Sequence, residues 1–131
     1  MVEVGSWRGT GSFHPVMTAR VAAPRDVVVP ALAEGLRRRG LRSSYRGDDG
    51  FRVTYRSLLD VLGWLELDFF GFTRLRVTAV AQADGTHVTI AVEEDGGSRA
   101  HRVVPGRLQG ALRELELQGY AVSVGGWQRP Q

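Results

Sequence analysis

The segment from Phe72 to Asp95 most constrains the fold, because it reads as two long alternating runs on either side of Asp84-Gly85. Asp-Gly is a favoured pair for a two-residue hairpin turn, since both central positions need positive φ. With that turn, Leu75, Val77, Ala79 and Ala81 face Glu94, Val92, Ile90 and Val88, an almost wholly apolar set. The opposite face sets Arg74 against Asp95, Arg76 against Glu93 and Gln82 against His87. Apolar pairs on one side and opposite charges on the other mark a half-buried antiparallel ladder. Such a hairpin demands a cover for its apolar side.

Two segments have the spacing to supply that cover. Arg25 to Arg39 places Val28, Leu32 and Leu36 on one stripe and meets its stop at Gly40. Pro30 sits awkwardly inside it, so the reading favours a start near Val29 with Pro30 in the first helical turn. Pro105 to Gln118 aligns Leu108, Leu112 and Leu115, and Gly119 follows as its stop.

The remaining strands are shorter. Val16 to Ala23 is a first strand closed by Pro24, and Tyr120 to Val124 a short last one. Leu41 to Arg46 and Phe51 to Ser57 flank the turn residues Gly47-Asp48-Asp49-Gly50. Leu41, Ser43 and Tyr45 share a face with Phe51, Val53 and Tyr55 only if the loop is odd-numbered or a bulge lies beside it. In such a register Arg46 faces Arg52 and Arg42 faces Arg56. Ser57 to Leu62 has the spacing of one capped helical turn, and Trp64 to Phe69 alternates like a strand.

The expected fold is therefore α+β: an antiparallel sheet of about five to seven strands with two helices on one face, in the order β-α-β-β-β-β-β-α. Residues 16–124 form one domain, with irregular tails at 1–15 and 125–131. Across 16–124 this order resembles a helix-grip (START-like, lipid-binding) domain or half of a TATA-binding-protein-like fold. Ala23-Pro24 ahead of the first helix resembles the former. That resemblance implies a small apolar ligand or a small-molecule enzyme, and it carries no specific motif.

Composition narrows the chemistry. There is no cysteine, which removes disulfides, thiolate metal sites and cysteine nucleophiles together. All 17 basic residues are arginine, and Lys and Asn are absent, a bias in keeping with a GC-rich genome. The formal net charge is only +3, so the pI near 10.2 is weak evidence for a polyanion partner. Neither a signal-peptide core nor a spanning apolar run is seen, so the expected location is cytoplasmic.

His14, His87 and His101 have no metal-site spacing, and no nucleophile elbow or phosphate loop is present. No cofactor or metal is therefore expected. Glu93-Glu94-Asp95 and Asp48-Asp49 are carboxylate runs, but adjacent strand residues point to opposite faces, which is the wrong geometry for a shared catalytic pair. The expectation is a non-catalytic binding domain, monomeric or homodimeric.

Two candidate sites remain. The first lies on the aromatic side, at Tyr45, Tyr55, Trp64, Phe69, Phe70 and Phe72, for a small apolar ligand or a protein partner. A plain account of those residues is core packing. The second is Arg42, Arg46, Arg52 and Arg56 on one hairpin face, where directly opposed like charges suit an anion such as nucleic acid or an acidic protein. A plain account there is a solvated face neutralised by Glu66, Asp68 and the turn aspartates. Trp7 and Trp127 lie in opposite tails and are expected to dock, on the domain or on a partner.

Overall fold

In a computed structural model of the chain, the structure describes residues 2–7, 14–45, 50–55, 73–95 and 100–128. Its strands are β1 (Val16–Val21), β2 (Arg42–Tyr45), β3 (Gly50–Tyr55), β4 (Thr73–Gln82), β5 (Gly85–Asp95) and β6 (Val122–Val124). Helix α1 (Arg25–Arg38) follows β1, and helix α2 (Ala100–Leu117) lies between β5 and β6. The strands form one six-stranded antiparallel sheet in the order β2-β3-β4-β5-β1-β6. This is the α+β architecture expected. The helical turn at 57–62 and the strand at 64–69 lie outside the described residues.

Alternation gives the sheet one apolar side. Met17, Ala19, Val21, Val53, Leu75, Val77, Ala79, Val88, Ile90 and Val92 are all buried there. Opposite them, Val28, Leu32 and Leu36 of α1 and Val104, Leu108, Leu112 and Leu115 of α2 complete the core. Both helices end in the same way. Gly40 (φ 85°) and Gly119 (φ 100°) adopt the left-handed conformation. Leu41 N–H then donates to Leu36 and Tyr120 N–H to Leu115, the paired bonds of a Schellman motif.

Helix α1 starts earlier than expected. Pro24 is its N-cap, and its carbonyl accepts from both Val27 and Val28 N–H. Pro30 therefore lies inside the helix, on the solvent side, where the Asp26 carbonyl it deprives of a donor can bond water. Helix α2 likewise begins at Ala100, ahead of Pro105.

The hairpin register also differs from the expected one. Gln82 pairs with Gly85, so the two-residue loop is Ala83-Asp84 and every pair from there to Leu75 slides by two residues along the partner strand. Leu75 now faces Val92, Val77 faces Ile90 and Ala79 faces Val88, which removes Glu94 from the apolar row. The register shifts between Arg74 and Leu75, leaving Glu93 as the extra residue of a bulge. Gly85 is needed for a different reason than the turn. Its φ is 149°, and a Cβ there would lie 2.3 Å from the Val21 carbonyl oxygen. Close approach of β1 sets the glycine.

Both tails pack on the domain. Val2, Val4 and Trp7 are buried, and Gln128 pairs with Val16 beyond β6. Trp7 and Trp127 meet edge to face with centroids 4.8 Å apart.

Candidate functional site on the open sheet face

The side of the sheet away from the helices is built by the residues between the buried ones. Strand β3 supplies Arg52 and Thr54, β4 supplies Arg74, Arg76 and Thr78, and β1 supplies Thr18 and Arg20. Register then fixes who is beside whom. One row runs Ser44, Arg52, Arg76, Ala91 and Val16, from β2 to β1. The row before it holds Arg42, Thr54 and Arg74. The row after it holds Thr78, Thr89 and Thr18, and the next holds Val80, His87 and Arg20.

The pairing corrects the expected one. Arg42 faces Thr54 and Ser44 faces Arg52, because the hairpin pairs Tyr45 with Phe51. The even parity required of this register holds, but the arginine pairs Arg42/Arg56 and Arg46/Arg52 do not form. Arg46 and Arg56 lie outside the described residues. The opposed like charges are instead Arg52 and Arg76, across β3 and β4. His87 faces Val80 and Arg20 rather than Gln82, a result of the same slide.

Glu93 is what makes the Arg52–Arg76 opposition tolerable. Its Oε1 lies 3.2 Å from Arg52 Nε and its Oε2 3.4 Å from Arg76 Nη2. The bulge pushes this carboxylate between two guanidiniums that the flat ladder would have set against each other. Glu93 Oε1 is sealed from solvent yet accepts no aligned hydrogen bond among the described residues, so the contact is Coulombic. One carboxylate serves two cations. Arg52 and Glu93 are about three-quarters covered, at 24% and 25% side-chain exposure, whereas Arg76 is 55% exposed.

Arg42 and Arg20 are exposed and make no ion pair or hydrogen bond with another described residue. With adjacent strands ~4.8 Å apart and residues ~3.3 Å apart along each, Arg42 and Arg20 stand at opposite ends of a diagonal of ~28 Å. Arg52 and Arg76 lie along it. At its far end Arg20 borders an open cleft of about 260 Å³ with Ser123, Gln82 and Asp84 on its walls. A second cleft, of about 690 Å³, lies between the first turn of α1 and the β4–β5 loop. There Arg25 Nε is committed to the Ala79 carbonyl at 2.9 Å.

The aromatic candidate site is placed only in part. Trp64, Phe69, Phe70 and Phe72 lie outside the described residues, as do the side chains of Tyr45 and Tyr55. Phe51, beside them in sequence, is buried in the core. No group of three or more His, Asp or Glu residues fit for a metal occurs among the described residues. No described helix is long and apolar enough to cross a membrane.

The sequence reading missed Arg20, Arg74 and Arg76 as members of the arginine face. Their alternation with buried neighbours was visible, but their adjacency to Arg52 comes only from the strand order. Comparison of the sequence with protein-family models and with curated proteins finds no match to either.

Proposed function

We propose that the open sheet face binds a polyanion through Arg42, Arg52, Arg76 and Arg20, and that the partner is nucleic acid held by its phosphate backbone. The observation that carries this is the charge of the face. Five arginines share it, against Glu93 as the acid whose side chain is described there. Guanidiniums bind phosphate by paired, planar hydrogen bonds, and the row of Thr78, Thr89 and Thr18 adds neutral donors beside them.

An acidic protein is the weaker fit. Protein interfaces draw their affinity from buried aromatic and aliphatic anchors. The described apolar side chains of this face are the neighbours Val16 and Ala91 and, two rows away, Val80. Nucleic-acid interfaces are polar and positively charged, which is the character of this surface. A helix-grip mode would seat an apolar ligand between sheet and helices. There the described core side chains Val28, Leu36, Leu75, Ile90, Leu108 and Leu112 are already packed to zero exposure.

The test is fluorescence anisotropy of the full chain with labelled duplex DNA and RNA across a salt series. Affinity should fall with salt at a log–log slope of about −0.9 per phosphate neutralised on a duplex, so roughly −3 to −4 for four arginines. Arg42→Gln, Arg52→Gln and Arg76→Gln combined should flatten that slope by about 2 to 3 while the sheet remains folded. Absence of binding at ~50 mM salt, or binding indifferent to these substitutions, would refute the proposal.

A further inference from the structure

One end of the open sheet face is concave, and the register gives the reason. Arg20 stands between His87 and Ser123 in its row. The next row toward the β4–β5 turn runs Gln82, Gly85, Ala22 and Ala121, through the Gln82–Gly85 pair and the Ala22 N–H to Ala121 carbonyl bond. Three of those four residues carry a methyl group or less, so the surface dips there. Gly85 cannot gain a side chain without striking the Val21 carbonyl. The result is the cleft of about 260 Å³ whose lining includes Arg20, Gln82, Asp84 and Ser123.

None of those four side chains makes a hydrogen bond or ion pair with another described residue. They differ in sign. Arg20 donates and Asp84 accepts, while Gln82 and Ser123 can do either. Arg20 and Gly85 lie one strand and two residues apart, ~8 Å, and Asp84 is one residue farther. A cation and a carboxylate that share a cleft without pairing suit a ligand with acceptors on one edge and donors on the next. A free phosphate is a poor occupant, because Asp84 would stand against it. The larger cleft beyond the turn shares Gln82 and Asp84, but its Arg25 Nε is committed to the Ala79 carbonyl.

We propose that this cleft binds one unpaired guanine base of the nucleic acid whose backbone lies along the arginine diagonal. The inference rests on the polyanion reading above, and Arg20 belongs to both the diagonal and the cleft. Guanine presents O6 and N7 as paired acceptors to a guanidinium, and its amino group and ring N–H as donors to a carboxylate. Adenine offers a guanidinium N7 alone, beside an amino donor, and the pyrimidines have no such acceptor pair. The low floor of Gly85, Ala22 and Ala121 leaves room for the ring face. A volume below the ~300–1,000 Å³ of pockets for drug-sized ligands matches a single base. Phosphate contacts position and base contacts specify, so the cleft is the sequence-reading end of a face that is otherwise blind to sequence.

The experiment is fluorescence anisotropy of the full chain with labelled oligothymidylate strands carrying one central guanine, adenine or cytosine, or none. The guanine strand should bind ~5- to 100-fold more tightly than the others. Asp84→Asn keeps a residue suited to the turn and should bring guanine within about threefold of the rest. Charge alone predicts the opposite, since loss of an acid would tighten all four strands equally. In parallel, guanosine, which carries no phosphate, should move the Gly85 and Ser123 amide resonances of the parent chain, and adenosine should not. That titration covers the case of a poorly folded variant. Equal binding of the four strands, a guanine preference untouched by Asp84→Asn, or resonances unmoved by guanosine would overturn this inference and leave the polyanion reading standing. Absence of binding to every strand at ~50 mM salt would overturn both.

Discussion

On the helix side of the sheet, Val53, Leu75, Val77 and Ile90 are at most 1% exposed and touch one another across three strands. One residue along each strand, Arg52, Arg76, Thr78 and Thr89 occupy the same ladder and face away from the helices. The backbone bonds are shared, so the two faces differ only in side chains and cover. The helix side carries the stabilising apolar burial, at ~25 cal/mol per Å². The open side gains little from burial and even sets like charges together at Arg52 and Arg76. A face that holds such an opposition, with one carboxylate between, is shaped by something other than stability. That contrast supports a binding role for the arginine side.

The comparison breaks most visibly in the core. Leu75→Ala removes a fully buried side chain and should cost ~2–5 kcal/mol in a urea melt, whereas Thr78→Ala on the other face should stay within ~0.5 kcal/mol. If the two cost the same, the faces are not distinct in the way described. Gly85→Ala tests the edge both faces share. At φ 149° and 2.3 Å from the Val21 carbonyl oxygen, a methyl group should cost at least ~1–3 kcal/mol, read as a lower melting temperature.

Glu93→Gln separates the two faces more sharply because its effects should have opposite signs. Loss of the carboxylate leaves Arg52 against Arg76 and should lower stability by ~0.5–1 kcal/mol. The same loss removes a negative charge from the open face, so affinity for duplex DNA should rise. Stability and binding falling together would mean that Glu93 contributes to the site rather than restraining it.

The smallest effect lies where the helices meet. Glu114 receives hydrogen bonds from Arg39 and Arg38, both at 2.7 Å. The Arg39 hydrogen bond first, and the charge of both arginines after it, hold the Glu114 carboxyl below the usual range in spite of partial burial. A carboxyl depressed in the folded state stabilises the fold above the unfolded value near ~4.3 and loses that contribution as pH falls through its lowered value. Glu114→Gln should therefore cost ~0.5 kcal/mol at pH 7, with the difference shrinking toward pH 3. A pH-independent difference would place its role in packing.

Much of the fold was legible because alternation and helical spacing are local signals. Leu108, Leu112 and Leu115 predict a buried stripe, and Gly40 and Gly119 predict the stops, without knowledge of what packs on them. The hairpin faces were legible for the same reason, since a slide of two residues keeps each residue between the turn and the bulge on its own side. Its exact pairing was not. Asp84-Gly85 carries a strong turn signal, but the glycine answers to the nearby β1 backbone, which is distant in sequence. Pro30 misled in a similar way. A proline inside a helix is costly in isolation, yet Pro30 points to solvent and the apolar stripe on either side holds the helix together.

The candidate site was half legible. Arg42 and Arg52 announced a charged face, but the run of Arg74 and Arg76 looked fully matched by the acids of β5. Only the bulge at Glu93 turned one of those acids toward two arginines at once.

Within the described helices and strands, sequence alone separated most of the buried side from the side facing water, because that follows from the period of each segment. It determined the two helices, their stops and the antiparallel character of the sheet. Tertiary structure decided the neighbours: that β3 lies beside β4, that Arg20 joins the arginine diagonal from β1, and that residues 2–7 are clamped against α2 and Trp127. These are contacts between segments far apart in the chain, and they depend on strand order and register. Period along one segment carries no information about its partner, and it is the partners that make a binding surface.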